Sequence, residues 1–133
     1  MWNRLPYALI FLALLYSGAS VADAWSAYAV DEYGTFYFFV AEPQQPDGVT
    51  LVKDLASYRR DGKNGAKSEQ TLLEVDCVSQ SIRERQHTLY AEPMGFGTAL
   101  SSTIEDRIWQ ATKAGSIREA LVTRVCTSST IQL

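Results

Sequence analysis

The sequence predicts an α+β domain: a small antiparallel β-sheet with a C-terminal α-helix packed on one face and tethered to it by a single disulfide. Three observations predict it. After residue 24 the chain breaks into apolar segments separated by turn-forming residues, which reads as successive short strands. Near the C-terminus the apolar spacing changes from a two-residue to a helical period. Two cysteines, Cys77 and Cys126, lie one in each region of a chain whose N-terminus reads as an export signal.

The export signal comes first in the argument because it fixes the redox compartment. Arg4 supplies a positive start, Leu5 to Tyr16 form an apolar run broken only by Pro6, and Ser17-Gly18-Ala19-Ser20 ends it with small residues. The run is shorter than the roughly 20 residues needed to span a bilayer. Cleavage fits after Ser20-Val21-Ala22 or after Ala22-Asp23-Ala24; the second frame, preferred here, leaves a single domain over 25–133 that opens on Trp25. Losing Arg4 and Asp23 together leaves the net charge of −3 unchanged. No later stretch is long and apolar enough to anchor the chain in a membrane, and no cysteine near the cleavage site can carry a lipid. The expected location is the periplasm or cell envelope, or outside the cell. There, a Cys77–Cys126 bridge is the simplest state of two cysteines without Cys-x-x-Cys spacing.

Strands are expected over Trp25 to Val30 and Thr35 to Ala41, joined by the Asp31-Glu32-Tyr33-Gly34 turn. A third follows the Pro43 to Gly48 loop, over Val49 to Tyr58. Asp61-Gly62 and Asn64-Gly65 mark a polar turn region over Arg59 to Ala66. From Ser68 to Cys77 the pattern alternates, with Thr71, Leu73, Val75 and Cys77 on one face and Glu74 and Asp76 on the other. A more polar strand, Ser81 to Ala91, ends at Pro93-Met94-Gly95-Phe96-Gly97. Ser116-Ile117-Arg118-Glu119 has the form of a capping box, opening a helix over Ser116 to Cys126 with Ile117, Ala120, Leu121 and Val125 on one face. In Thr35 to Ala41 apolar side chains point both ways, so both faces need a cover. Its own loops, a second copy of the chain as a homodimer, or a ligand would each serve.

Composition narrows the function. Apolar residues make up 47% and charged residues 20%, and 12 Lys and Arg stand against 15 Asp and Glu, which argues against disorder and against nucleic-acid binding through bulk positive charge. One histidine and two cysteines are too few for a four-ligand structural zinc site, and no cofactor motif is present. His87 lacks a nucleophile motif; in an uninterrupted strand it shares a face with Arg83, Arg85 and Leu89, as a partly paired surface group. Glu74 and Asp76 read as solvated strand acids. The candidate binding residues are basic: Arg59, Arg60, Lys63 and Lys67 around the polar turn, with Arg83 and Arg85 projecting together from the next strand. Segregated positive charge on an acidic chain can attract an acidic or polyanionic partner. Residue chemistry alone therefore reaches a binding module and no further.

The ordered set Trp25, Gly34-Thr35, Tyr37, Leu73-Glu74, Asp76-Cys77, Arg83, Thr88, Tyr90, Pro93-Met94-Gly95, Trp109, Gly115-Ser116, Glu119-Ala120-Leu121 and Cys126 resembles the surface-adhesin protein E family of bacterial envelope proteins. The resemblance runs over nearly all of 25–126. It implies the same sheet, helix and disulfide, a non-enzymatic protein, and a protein partner in the envelope or the extracellular matrix. A periplasmic inhibitor or assembly factor acting on another envelope protein is the alternative.

Overall fold

Six strands follow one another across a single antiparallel sheet in chain order, each hydrogen-bonded to the one before it. They are β1 (Ser26–Val30), β2 (Gly34–Glu42), β3 (Val49–Tyr58), β4 (Ser68–Asp76), β5 (Ser81–Tyr90) and β6 (Ala99–Ile104), with a two-residue β7 (Gln110–Ala111) also on β5. One helix, α1 (Ile117–Ser129), closes the order. The computed structural model describes residues 25–105 and 108–129. The expected leader, 1–24, lies outside the described residues.

The first five strands sit where turn chemistry predicts them. At the β1–β2 turn, Asp31 Oδ1 accepts the Tyr33 and Gly34 N–H groups at 2.8 and 3.1 Å, the side-chain-closed turn that aspartate favours. Asp76 does the same between β4 and β5, accepting from Val78 and Ser79. It is a turn residue, where the sequence suggested a solvated strand acid. Gly34 is constrained by space: a Cβ there would lie 2.1 Å from the Ser57 carbonyl oxygen on β3.

The core forms on one face of the sheet. Phe38, Val52, Leu73, Val75 and Ile82 meet Leu121, Val122 and Val125 of α1, with Tyr28, Cys77 and Cys126 packed at the margin. Each fully buried aliphatic side chain contributes roughly 1.5–3 kcal/mol. Cys77 and Cys126 are bonded, with Cα atoms 5.5 Å apart, so the helix is clamped to the end of β4 as expected.

At the start of α1, Ser116 Oγ accepts the Glu119 N–H at 3.1 Å, one half of the capping box. The other half is shifted. Glu119 Oε1 accepts from Gly115, because the Ser116 N–H already donates to the Lys113 carbonyl. The helix also runs three residues beyond Cys126, and its inward stripe holds Arg118, Leu121, Val122 and Val125.

The opposite face has its own cover. Residues 93–95 fold back as a short 3₁₀ turn, and Ser68 Oγ accepts the Gly95 N–H at 2.8 Å while donating to the Glu92 carbonyl at 2.6 Å. Gly95 has φ +75°, and a Cβ there would meet the Gln70 amide at 2.4 Å, so this fold-back needs glycine. Leu55 is fully buried on this side. Phe39 meets Trp25 edge-on at 4.7 Å and the Lys53 ammonium at 5.5 Å. The chain itself thus supplies much of the covering that the two-sided apolar pattern of β2 demands.

Candidate functional site

Two places gather polar side chains. The first is the tip of the sheet at the β3–β4 connection, where the sequence analysis placed its basic cluster. Backbone bonds order the tip: Tyr58 N–H to the Lys67 carbonyl, Gly62 N–H to Ala66, and Arg59 N–H to Tyr33. Arg59, Arg60, Lys63 and Lys67 are exposed and form no ion pair among the described residues. A cavity of about 510 Å³ opens beside them, lined by Glu32, Tyr33, Tyr58, Arg60, Asp61 and Gly62.

Arg83 and Arg85 do not join this group. Arg83 faces Glu74 on the neighbouring strand, toward the opposite end of β4 from the tip. Arg83 Nη2 bonds Glu74 Oε2 at 2.7 Å, and Arg85 Nε lies 3.4 Å from Glu74 Oε1. The Arg83 guanidinium also stacks on Trp109, 4.7 Å from the ring centroid. The two arginines do project together, but onto an acid that balances them.

The second place lies under α1 and was not visible in the sequence. Half of the helix-bearing face is apolar; the other half carries a chain of charge. Tyr28 Oη donates to Asp54 Oδ1 at 2.5 Å, and Arg118 donates to Asp54 Oδ2 at 2.8 Å and to Glu84 Oε1 at 3.0 Å. His87 Nε2 lies 3.0 Å from Glu84 Oε2, and its Nδ1 lies 2.8 Å from Glu69 Oε1. Tyr58 Oη completes the series by donating to Glu69 Oε2 at 2.7 Å. A bulge makes the arrangement possible. Gln86 pairs with Leu72 but Glu84 pairs with Leu73, so Arg85 is the extra residue and the phase of β5 flips there. His87 consequently points to the helix side with Glu84. It does not share a face with Arg83, as an uninterrupted strand would require.

Environment sets the protonation states. Burial pushes the Asp54 carboxyl up, against the Arg118 charge and the Tyr28 hydrogen bond, which pull it down. Burial and then the Asp54 charge push the Tyr28 hydroxyl up, keeping it a donor. Hydrogen bonds to Glu69 and Glu84 push His87 up to about 9, so it is an imidazolium at neutral pH. The bond from His87 in turn pulls Glu69 below its ordinary value.

The raised His87 value makes stability pH-dependent. A group held above its unfolded value contributes stability that is complete below about 6.5 and disappears as pH climbs through about 9. Glu69, shifted down, adds stability that is lost as pH falls through the carboxylate range. In chelator-containing buffer the thermal midpoint should therefore decline from pH 6.5 to 9 in the native chain. In His87→Gln that decline should be absent; equal slopes in both proteins would show that the imidazolium is not bound as described.

Thr71 Oγ1 also lies 3.2 Å from His87 Nδ1, within the polar series beneath the helix. The fold and these two places together make a small disulfide-tethered β-meander domain with a basic tip. Comparison with known proteins gives it a family. The model of the family described as "Surface-adhesin protein E" matches residues 25–127, and the chain belongs to that family. The family is one of surface adhesins, generally non-catalytic, which implies a cell-surface or envelope location. Among solved structures, the chain is similar to protein E from non-typeable Haemophilus influenzae, with a TM-score of 0.59 and 10% identity over 82% of this chain and 79% of that one. At that identity the likeness speaks for the fold. No curated protein matches the chain in sequence.

Proposed function

We propose that this chain is an exported, non-catalytic envelope binding module that engages an acidic or polyanionic protein partner through the β3–β4 tip. One observation supports it above the others: four exposed cations that form no ion pair among the described residues crowd into residues 59–67, beside an open cavity and Tyr33, which is 66% exposed. Unpaired charge at a rim steers an oppositely charged partner and sets the salt dependence of the encounter. The chain's overall acidity makes this local reversal more selective, because an acidic partner is repelled by most other approaches.

The test compares the native chain with an Arg59→Glu, Arg60→Glu, Lys63→Glu variant on immobilised heparin and on poly-glutamate. The native chain should bind at low salt and weaken as salt rises, and the variant should bind about tenfold less tightly or worse. Equal binding by the two proteins would overturn the tip as the contact. Protease accessibility on intact cells then separates a displayed adhesin from a protein that works inside the outer membrane.

A further inference from the structure

We propose that Glu84, His87 and Glu105 form an open three-ligand site for one divalent transition-metal ion, with zinc the best chemical fit. One ligand atom from each lies within 4.8 Å of the other two. His87 Nε2 is 3.0 Å from Glu84 Oε2 and 3.9 Å from Glu105 Oε1. Tetrahedral zinc with nitrogen and oxygen bonds of about 2.0–2.1 Å separates neighbouring ligands by roughly 3.4 Å, between those two distances. The remaining separation, Glu84 to Glu105, is within 4.8 Å, so rotation of these side chains would gather all three around one ion.

What lifts this trio above a solvated acidic cluster is the imidazole and the way it is held. Ligand histidines usually donate their other ring N–H to a carboxylate, which fixes the tautomer and aims the free nitrogen. Glu69 stands in that position, 2.8 Å from Nδ1. The Arg118 guanidinium is on Glu84 Oε1, leaving Oε2 directed at His87. The β5 bulge puts residues 84 and 87 on one face, where an uninterrupted strand would send them to opposite faces. Glu105 follows β6, the next strand, and its N–H donates to the Arg85 carbonyl at 2.8 Å, which fixes the backbone beside the bulge.

Protonation chemistry is compatible with such a site: a bound dication takes the place of the His87 Nε2 proton, which leaves to solvent. A cavity of about 260 Å³, lined in part by Glu69, His87, Ser101, Thr103 and Glu105, leaves room for a fourth ligand such as water. One nitrogen and two carboxylates suit zinc-like ions; calcium and magnesium ask for six or more oxygen ligands.

The experiment uses the mature chain without a polyhistidine tag, stripped with chelator and titrated calorimetrically with zinc chloride, with calcium and magnesium chloride as controls. One zinc per chain should bind, calcium and magnesium should not compete, and Glu105→Gln should weaken zinc by about tenfold or more. His87→Gln should abolish one-to-one binding while circular dichroism verifies that the variant is folded. Absence of stoichiometric zinc binding to the native chain overturns the proposal. So does a Glu105→Gln or folded His87→Gln protein that binds as tightly as the native one.

Discussion

A Cys77→Ser, Cys126→Ser double variant is expected to unfold about 4 kcal/mol more easily than the native chain, from the loop entropy that a bridge across 49 residues removes from the unfolded state. For a domain of about 100 residues this is a fall in thermal midpoint of about 15 °C or more. The size of the effect follows from what the bridge holds. Leu121, Val122 and Val125 supply the helix side of the core, and α1 joins the sheet covalently only through the chain after β7 and through this bond. Guanidinium unfolding of the oxidised native chain, the reduced native chain and the double variant measures it. A double variant within a few degrees of the oxidised protein would mean that apolar packing alone seats the helix.

How far such a structure can be read in advance depends on which interactions are local. β1 to β5 were legible because each is bounded by turn chemistry, such as Asp31 to Gly34 or Asn64-Gly65, and because β4 alternates without interruption. β6 was not: Ala-Leu-Ser-Ser-Thr-Ile carries little apolar signal, and all six residues are exposed at the sheet edge. β7 has two residues and no pattern to find. The helix was legible from its cap and period, although Arg118 in place of Ile117 begins its inward stripe at the spacing i, i+3, i+4, i+7.

The polar half of the helix-bearing face shows the same division more sharply. Asp54 falls in phase with Val52 and Ala56 on β3, and Arg118 falls in phase with Leu121 and Val122 on α1. Each is a charge on an apolar stripe, and each is therefore a signal available from sequence. Their pairing across 64 residues is not local, so the cluster could not be assembled from them. The phase of His87 depends on the bulge at Arg85, which has no composition of its own. The six basic residues divided for a related reason: Glu74, directly across the ladder from Arg83, captures two of them.

The Asp54–Arg118 contact supports the second large effect. Arg118→Met should destabilise the fold by about 3–5 kcal/mol at pH 7, the usual penalty for leaving one partner of a buried ion pair uncompensated. The Asp54 side chain is only 5% exposed, and once the guanidinium is gone its remaining side-chain partner among the described residues is the Tyr28 hydroxyl. Glu84 suffers less, since His87 still faces its other oxygen.

The loss in Arg118→Met should also depend on pH in a defined direction. Burial already holds the Asp54 carboxyl above its ordinary value, and removing the cation that opposes burial raises it further. A carboxyl raised in the folded state gains a proton more readily there than in the unfolded chain, so the penalty is complete above its folded value and shrinks as pH falls through it. Urea unfolding of both proteins at pH 7 and near pH 4.5 should show a markedly smaller difference at the lower pH. A double variant, Asp54→Leu with Arg118→Met, should recover most of the stability, because replacing both charges with apolar groups leaves no orphan. A loss in Arg118→Met that is small and identical at both pH values would mean that water, and not this arginine, balances Asp54 beneath the helix.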